Sequence, residues 1–287
     1  MNCPNKMCKQ ERTVDQILAE LDAMIGMSDI KKTVREIAII IQMQKERDEK
    51  LGKESAGRDH NIIITGNPGI GKKTIVRILG ALFKATGILK KDTVIEVNGN
   101  DLKGTFIGES KVIVNEKCDE AMGGILFIDE VYLLAYNQRN DALAWEAVDT
   151  LRFRLENDWT KYVIVLAGNE KDMQMFIHTQ PGIRHKFRHY LHLSDYSAEE
   201  LFAIFDSMVK KAGYNLTPDA SEAAKTAIAD MYNNKGPNFG NAGEIRVFFE
   251  RITSRLATRL SALSKEERAD KLKTIEACDI SANGGGA

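Results

Sequence analysis

The 287-residue sequence contains no apolar run approaching the ~20 residues needed to cross a bilayer, and its longest, such as Ile125-Leu126-Phe127-Ile128, are strand-sized. No helical membrane span is therefore expected. Neither sign of charge dominates: 40 basic and 41 acidic residues leave a net charge of −1. No global field favours nucleic acid or an anionic membrane, and neither is expected as a partner. The polar start, Met1 to Thr13, lacks an apolar signal core, which argues for a cytoplasmic protein rather than a secreted one. Cysteine is scarce, and Cys3, Cys8, Cys118 and Cys278 show no paired metal spacing. Free thiols are the simpler reading, with a metal at Cys3 and Cys8 as the alternative. No internal repeat is present. The remaining balance, 43% hydrophobic and 28% charged, is that of an ordinary globular protein with room for a large and a small domain.

Apolar periodicity divides the chain. Val14, Ile17, Leu18 and Leu21 form one helical stripe and Ile30, Val34, Ile37 and Ile41 a second, with Ile25-Gly26-Met27 between them. The charged, glycine-containing segment 48–60 reads as a loop. Short apolar runs at 62–65, 94–97, 125–128, 163–167 and 190–193 alternate with helix-length stretches, which predicts βα units and a mostly parallel sheet. After Asp195 no further strand is expected. Ser197-Ala198-Glu199-Glu200 is a capping box, and Thr217-Pro218 starts a helix with proline at its first position. Ile245, Phe249, Ile252, Leu256, Leu260 and Leu263 form the face of a third, long helix, followed by another cap at Ser264 to Glu267. The expected division is a polar tail over 1–13, an α/β domain over 14–195, a helical domain over 196–283 and a flexible tail over 284–287.

Gly66-Asn67-Pro68-Gly69-Ile70-Gly71-Lys72-Lys73-Thr74 follows an apolar strand and opens a helical stretch, the context of a phosphate-binding loop. Glycines let successive N–H groups turn inward toward phosphates, and the helix N-terminus adds partial positive charge. Lys72 would reach the β- and γ-phosphates. The next position, where a Ser or Thr hydroxyl would meet Mg²⁺, is Lys73. Two unit charges ~4 Å apart interact by about 4 kcal/mol at an effective dielectric near 20, so Lys73 must point away or displace the metal. Thr74 is rotated about 100° around the helix and cannot take over. About 55 residues further on, the strand 124–128 ends in Asp129 and Glu130. Behind a phosphate loop, such a pair would hold Mg²⁺ and polarise an attacking water; alone it reads as a helix cap with a solvated charge. These residues predict binding of a nucleoside triphosphate and leave hydrolysis open.

The motifs LDAMIGMSDIKKTVREI, GNPGIGKK, DLKGTFIGES, GGILFIDEVYLL, VIVLAGNEKDM, PGIRHKFRHYLHLSDYSAEEL and FGNAGEIRVFFE occur in this order over residues 15–282. Together they resemble the AAA+ ATPases of the CbxX/CfqX type, a group that includes stage V sporulation protein K and the red-type Rubisco activases. The resemblance implies a P-loop NTPase large domain with a five-stranded parallel sheet, a helical lid, ATP with Mg²⁺, and hexamers with nucleotide at subunit interfaces. It places Ile25 and Gly26 beside the adenine, where the alternative is a plain break between helices. Asn169 falls at the first sensor position or, alternatively, is a turn signal. Thr105-Phe106-Ile107-Gly108 matches a pore loop that grips an extended polypeptide; otherwise Phe106 is a loop aromatic buried against a neighbouring helix.

Several positions depart from the family pattern. The arginine finger position holds Lys186, which keeps the charge but loses the planar fork; Arg184 is the nearby substitute. The cluster Arg184, His185, Lys186, Arg188 and His189 otherwise reads as a solvated face. The lid motif has Gly243 where the family has an arginine, leaving Arg246 to reach the nucleotide or to make a structural ion pair. Ile113-Val114 replaces a basic–Thr pair. Two functions follow from the resemblance and these departures. One is a ring-forming ATPase that remodels or threads a protein client. The other is a hydrolysis-poor, nucleotide-binding subunit in a mixed ring beside an active paralogue.

Overall fold

The computed structural model describes residues 12–51, 60–135, 141–158, 160–269 and 271–281. The readings for Cys3, Cys8, residues 1–11 and the tail 284–287 lie outside the described residues. Each expected apolar run becomes a strand: β1 (Ile62–Gly66), β2 (Val94–Asn98), β3 (Ile125–Asp129), β4 (Val163–Gly168) and β5 (His189–Leu193). They form one sheet in the order β2-β3-β4-β1-β5, with β1–β4, β2–β3 and β3–β4 paired parallel. Asn98 stands opposite Asp129 and Thr65 opposite Gly168, so the polar strand ends collect along one edge. The inner strand β3 is an unbroken apolar run because both its faces are covered. Leu126 and Ile128 join a core with Val114, Leu151 and Phe176, while Ile125 points toward Gly80 on the other face.

Helices α1 (Val14–Asp22), α2 (Ser28–Lys50), α3 (Lys72–Thr86), α4 (Glu109–Glu120), α5 (Ala142–Asn157), α6 (Glu170–Thr179) and α7 (Pro181–Arg184) accompany the sheet. Thr13 and Gln16 cap α1 reciprocally. Ile75, Ile78, Leu79, Leu82 and Phe83 of α3 are buried, as their spacing predicts. The described chain forms two compact units. The first runs up to Met24 and includes Ser28–Thr65 and Lys72–His192; the second takes Ile25–Met27, Gly66–Gly71 and everything from Leu193.

The second unit contains α8 (Ala198–Lys211), α9 (Pro218–Asn233), α10 (Ala242–Ser261), α11 (Lys265–Ala269) and α12 (Ala277–Ile280). The Ser197–Glu200 capping box, the Thr217 cap with Pro218, and the reciprocal Ser264–Glu267 bonds are all formed. Phe205 of α8 is fully buried, with its ring 5.5 Å from that of Phe248 and 6.3 Å from that of Phe249.

Three expectations need correction. The segment from Asp48 is helical through Lys50, its Arg47 and Lys50 suiting the negative end of the helix dipole, and Asp48 is buried. Strands do occur after Asp195: β6 (Asn215–Leu216) and β7 (Thr274–Ile275) pair in parallel but are too short for alternation to show in sequence. The long helix α10 ends at Ser261, so Leu263 lies in the turn that Ser264 needs to cap α11.

The base of the second unit rests on a buried ion pair. Asp279, 2% exposed, receives Arg259 Nε and Nη2 at 2.9 and 2.8 Å, and Arg259 also donates to Glu276 and to the Thr274 carbonyl. Removing the guanidinium strands a buried carboxylate. Arg259→Ala is expected to destabilise this unit by roughly 3–5 kcal/mol in urea unfolding, far more than loss of an exposed ion pair.

Candidate functional site

The Gly66–Gly71 turn belongs to the second unit, and its shape comes from two left-handed glycines. Gly69 and Gly71 have φ of 70° and 100°. A Cβ on Gly69 would stand 2.0 Å from the Gly240 carbonyl oxygen, so only glycine permits this approach. Asp195, just past β5, fastens the turn. Its Oδ1 accepts from Asn67 Nδ2 at 2.9 Å and from Asn241 Nδ2 at 2.8 Å, and Lys235 Nζ lies 3.3 Å from its Oδ2. Asn241, wholly buried, also donates to the Phe239 carbonyl and accepts from the Tyr196 N–H. Its φ of 46° and ψ of −123° are strained for a non-glycine residue, held there by these bonds. Tyr196 donates its hydroxyl to the Ile70 carbonyl at 3.2 Å. Ile70 is buried, Pro68 and Gly69 are exposed, and Ile25 and Gly26 are half-buried in the same unit, with Gly26 left-handed.

In the first unit, Lys72 opens α3. Burial lowers its pKa from the ordinary lysine value, against the opposing pull of Asp129 and Glu130. Asp129 ends β3 and accepts the Glu130 N–H at 3.1 Å. Glu130 is left-handed, φ 52°, and its carboxylate is held from two sides. Asn98 Nδ2 donates to Oε2 at 2.7 Å and the Tyr132 hydroxyl to Oε1 at 3.2 Å. Burial, reinforced by Glu130, pushes Tyr132 up to about 12, so it remains a donor. Asn169 caps α6: its Oδ1 accepts the Asp172 N–H at 2.9 Å and its Nδ2 donates to Asp172 Oδ2 at 2.6 Å. Asn169 thus caps a helix here.

Lys73 points away from this carboxylate pair. Its Nζ lies 3.3 Å from Glu96 Oε2 on β2, and Arg77 Nη2 is 2.7 Å from Oε1 of the same side chain. Burial raises the Glu96 pKa, but the two cations more than offset it and the net shift is downward. Thr74 is exposed. The donor set fits a polyphosphate better than a divalent cation. In the first unit Lys72 and Lys73 supply positive charge, while a divalent cation would find Asp129 with one oxygen already accepting the Glu130 N–H and, at the position after Lys72, an ammonium in place of a hydroxyl.

The remaining expected residues fall elsewhere. Phe106 and Ile107 are 66% and 83% exposed, so Phe106 is not buried against a helix. Gly108, left-handed, begins α4 and donates its N–H to Glu146 Oε2 at 3.1 Å. Arg184 is exposed at the end of α7, Lys186 is half-buried after it, and neither side chain makes an ion pair among the described residues. Exposed Arg246, one turn into α10, likewise makes none among the described residues. Gly243 borders open space. Val114 is buried and Ile113 packs against the core, which explains why apolar residues replace a basic–Thr pair there.

Sequence reading passed over Asn98, Glu96, Tyr132 and Asp195. The available signal was positional: Asn98 ends a parallel strand, where ligand-facing groups gather, and Asp195 follows another.

Residues 62–188 match the ATPase family associated with various cellular activities (AAA), and residues 197–286 match the AAA lid domain. Protein CbbX of Cereibacter sphaeroides is 34% identical, covering 93% of this chain and 86% of its own. Stage V sporulation protein K of Bacillus subtilis is 31% identical over 93% of this chain and 82% of its own. This chain belongs to the AAA+ ATPases of the CbxX/CfqX type. Two solved RuvB mutants of Thermotoga maritima, 17% identical, share the AAA+ fold with TM-scores of 0.60 and 0.57, covering 91% of this chain and 69% and 70% of theirs. Membership carries nucleotide binding, typically with Mg²⁺, and a tendency to assemble into rings.

Within this AAA+ chain the Asp195 carboxylate has a measurable pH signature. Burial raises its pKa, but donors from Asn241, Asn67 and Lys235 more than offset this and hold it below the ordinary 3.8. A depressed folded pKa gives stability that is complete above about pH 4 and lost as the pH falls through the folded value. Unfolding measured near neutrality and at about pH 3 should show a smaller acid-dependent loss in Asp195→Asn than in the wild type.

Proposed function

We propose that this chain is an ATP-binding subunit of a ring, built from copies of itself or with an AAA+ paralogue and hexameric in the manner of its family. It acts in the cytoplasm and grips a protein client through residues 105–108. The observation that carries this reading is the pair Phe106 and Ile107, held far out in solvent on a loop whose end is pinned by Glu146. Large apolar groups left in water at such a loop serve contact with another chain, and they grip without regard to sequence. Lys72 and the N–H groups of residues 66–71, consecutive in the chain, would hold the phosphates, with Asn67, Pro68, Gly69, Ile70 and Gly71 shaping the turn. Ile25 and Gly26 would border the adenine. Glu130 would polarise the attacking water once Asn98 and Tyr132 release it. Asp129 is the side chain that would hold Mg²⁺. Asn169, Arg246, and Arg184 or Lys186 of a neighbouring subunit would respond to the γ-phosphate.

A second reading, a subunit that binds ATP and hydrolyses it poorly, is favoured by Lys73 turned to Glu96, Glu130 held from two sides and glycine at 243. Relatives include a Rubisco activase, a sporulation protein and an ESX-3 secretion protein. These are three different settings, so no client is chosen.

Calorimetry with ATP, alongside a mass measurement of the assembly, tests the proposal. Lys72→Ala is expected to weaken ATP binding at least about tenfold; unchanged affinity would sink the nucleotide reading. Glu130→Gln should keep binding and abolish whatever turnover this subunit performs. Under the second reading, Lys73→Thr combined with Lys186→Arg raises turnover, whereas a wild type already turning over at about 1 s⁻¹ or faster with no gain in the variant assigns it the first.

A further inference from the structure

Lys73 and Arg77 stand one turn apart on α3 and share the single carboxylate of Glu96. Glu96 lies two residues before Asn98 on β2, so both project from the same face of the strand, and Asn98 in turn holds Glu130. Two cations on one anion leave a surplus positive charge, one residue from Lys72. The Lys73 side chain is 55% exposed, and an exposed pair of this kind is weak. If Lys73 leaves, Arg77 at 2.7 Å still satisfies Glu96. The ammonium can therefore swing on its four-carbon stem, and its three donors suit phosphate oxygens.

A divalent cation meets the opposite conditions here. The helix position that would give it a hydroxyl carries a cation instead, and Asp129 has one oxygen committed to the Glu130 N–H. An ammonium and a dication repel at short range, so the two are alternatives as counter-charge for one polyphosphate. Building on the nucleotide reading above, we propose that Lys73 substitutes for the divalent cation. The site accepts metal-free nucleoside triphosphate, and Glu96 parks the Lys73 ammonium while the site is empty. Glu96 is then a positioning residue, acting through Lys73.

Calorimetric titration of the full chain with ATP, once in excess Mg²⁺ and once in EDTA, tests this on the wild type, Lys73→Thr and Glu96→Gln. The wild-type Kd in EDTA should lie within about threefold of that in Mg²⁺. Lys73→Thr should weaken the EDTA titration about tenfold while its Mg²⁺ titration holds or improves, and Glu96→Gln should tighten the EDTA titration about threefold. Wild-type binding that is tenfold or more weaker in EDTA overturns the inference and leaves the nucleotide reading standing. An unchanged EDTA affinity in Lys73→Thr does the same. Should Lys73→Thr fail to fold, Glu96→Gln decides alone, with unchanged EDTA affinity counting against. No binding in either medium overturns the nucleotide reading and this inference with it.

Discussion

The carboxylate of Asp195 is the tie on which the second unit's Gly66–Gly71 turn depends. One oxygen takes amide protons from Asn67 in the turn and from Asn241 at the start of α10, and the other faces Lys235. A charged acceptor strengthens each of these bonds, and enclosure strengthens them further. Their sum holds Asn241 in a conformation that an asparagine would otherwise avoid. The turn is thus not free to relax separately from the helix that follows it in space. Any ligand that reshapes residues 66–71 must work against, or through, the same carboxylate.

The fold was legible because its signals are local and redundant. Strands buried on both faces, such as β3 and β4, read as short apolar runs, the partly exposed β2 and β5 keep enough apolar residues to show, and each of the five lay within a residue or two of its expected place. Ser197, Thr217 and Ser264 marked helix starts because capping needs a hydroxyl at one position and little else. What escaped notice was either too short or too distant in sequence. A two-residue strand such as β6 has no period to detect, and the Asn98–Glu130 bond joins residues 32 positions apart. Of the candidate site, the glycine turn and the Asp129-Glu130 pair stood out in the sequence as motifs. Glu96 was invisible: nothing about a lone glutamate in a strand says that two cations from a neighbouring helix will converge on it.

The departures from the family pattern now have distinct physical characters. Ile113 and Val114 are a packing solution, their apolar surface taken up by the core. Lys73 is an electrostatic one, its charge paired with a strand glutamate. Gly243 has nothing within 4 Å of where a Cβ would stand. Only the first kind is irreversible without repacking. The other two residues are exposed and outside the buried core.

The contact between Gly69 and the Gly240 carbonyl has a consequence for how this protein can vary over time. With room for a hydrogen atom and nothing larger, position 69 is locked by a main-chain atom, which no exchange of amino acid at 240 can trim away. A lineage that acquired a side chain there would have to shift the beginning of α10 in the same step. Drift at residues 66–71 and drift at the start of α10 are therefore tethered: in descendants of this chain, the two segments should change as a pair or stay as they are.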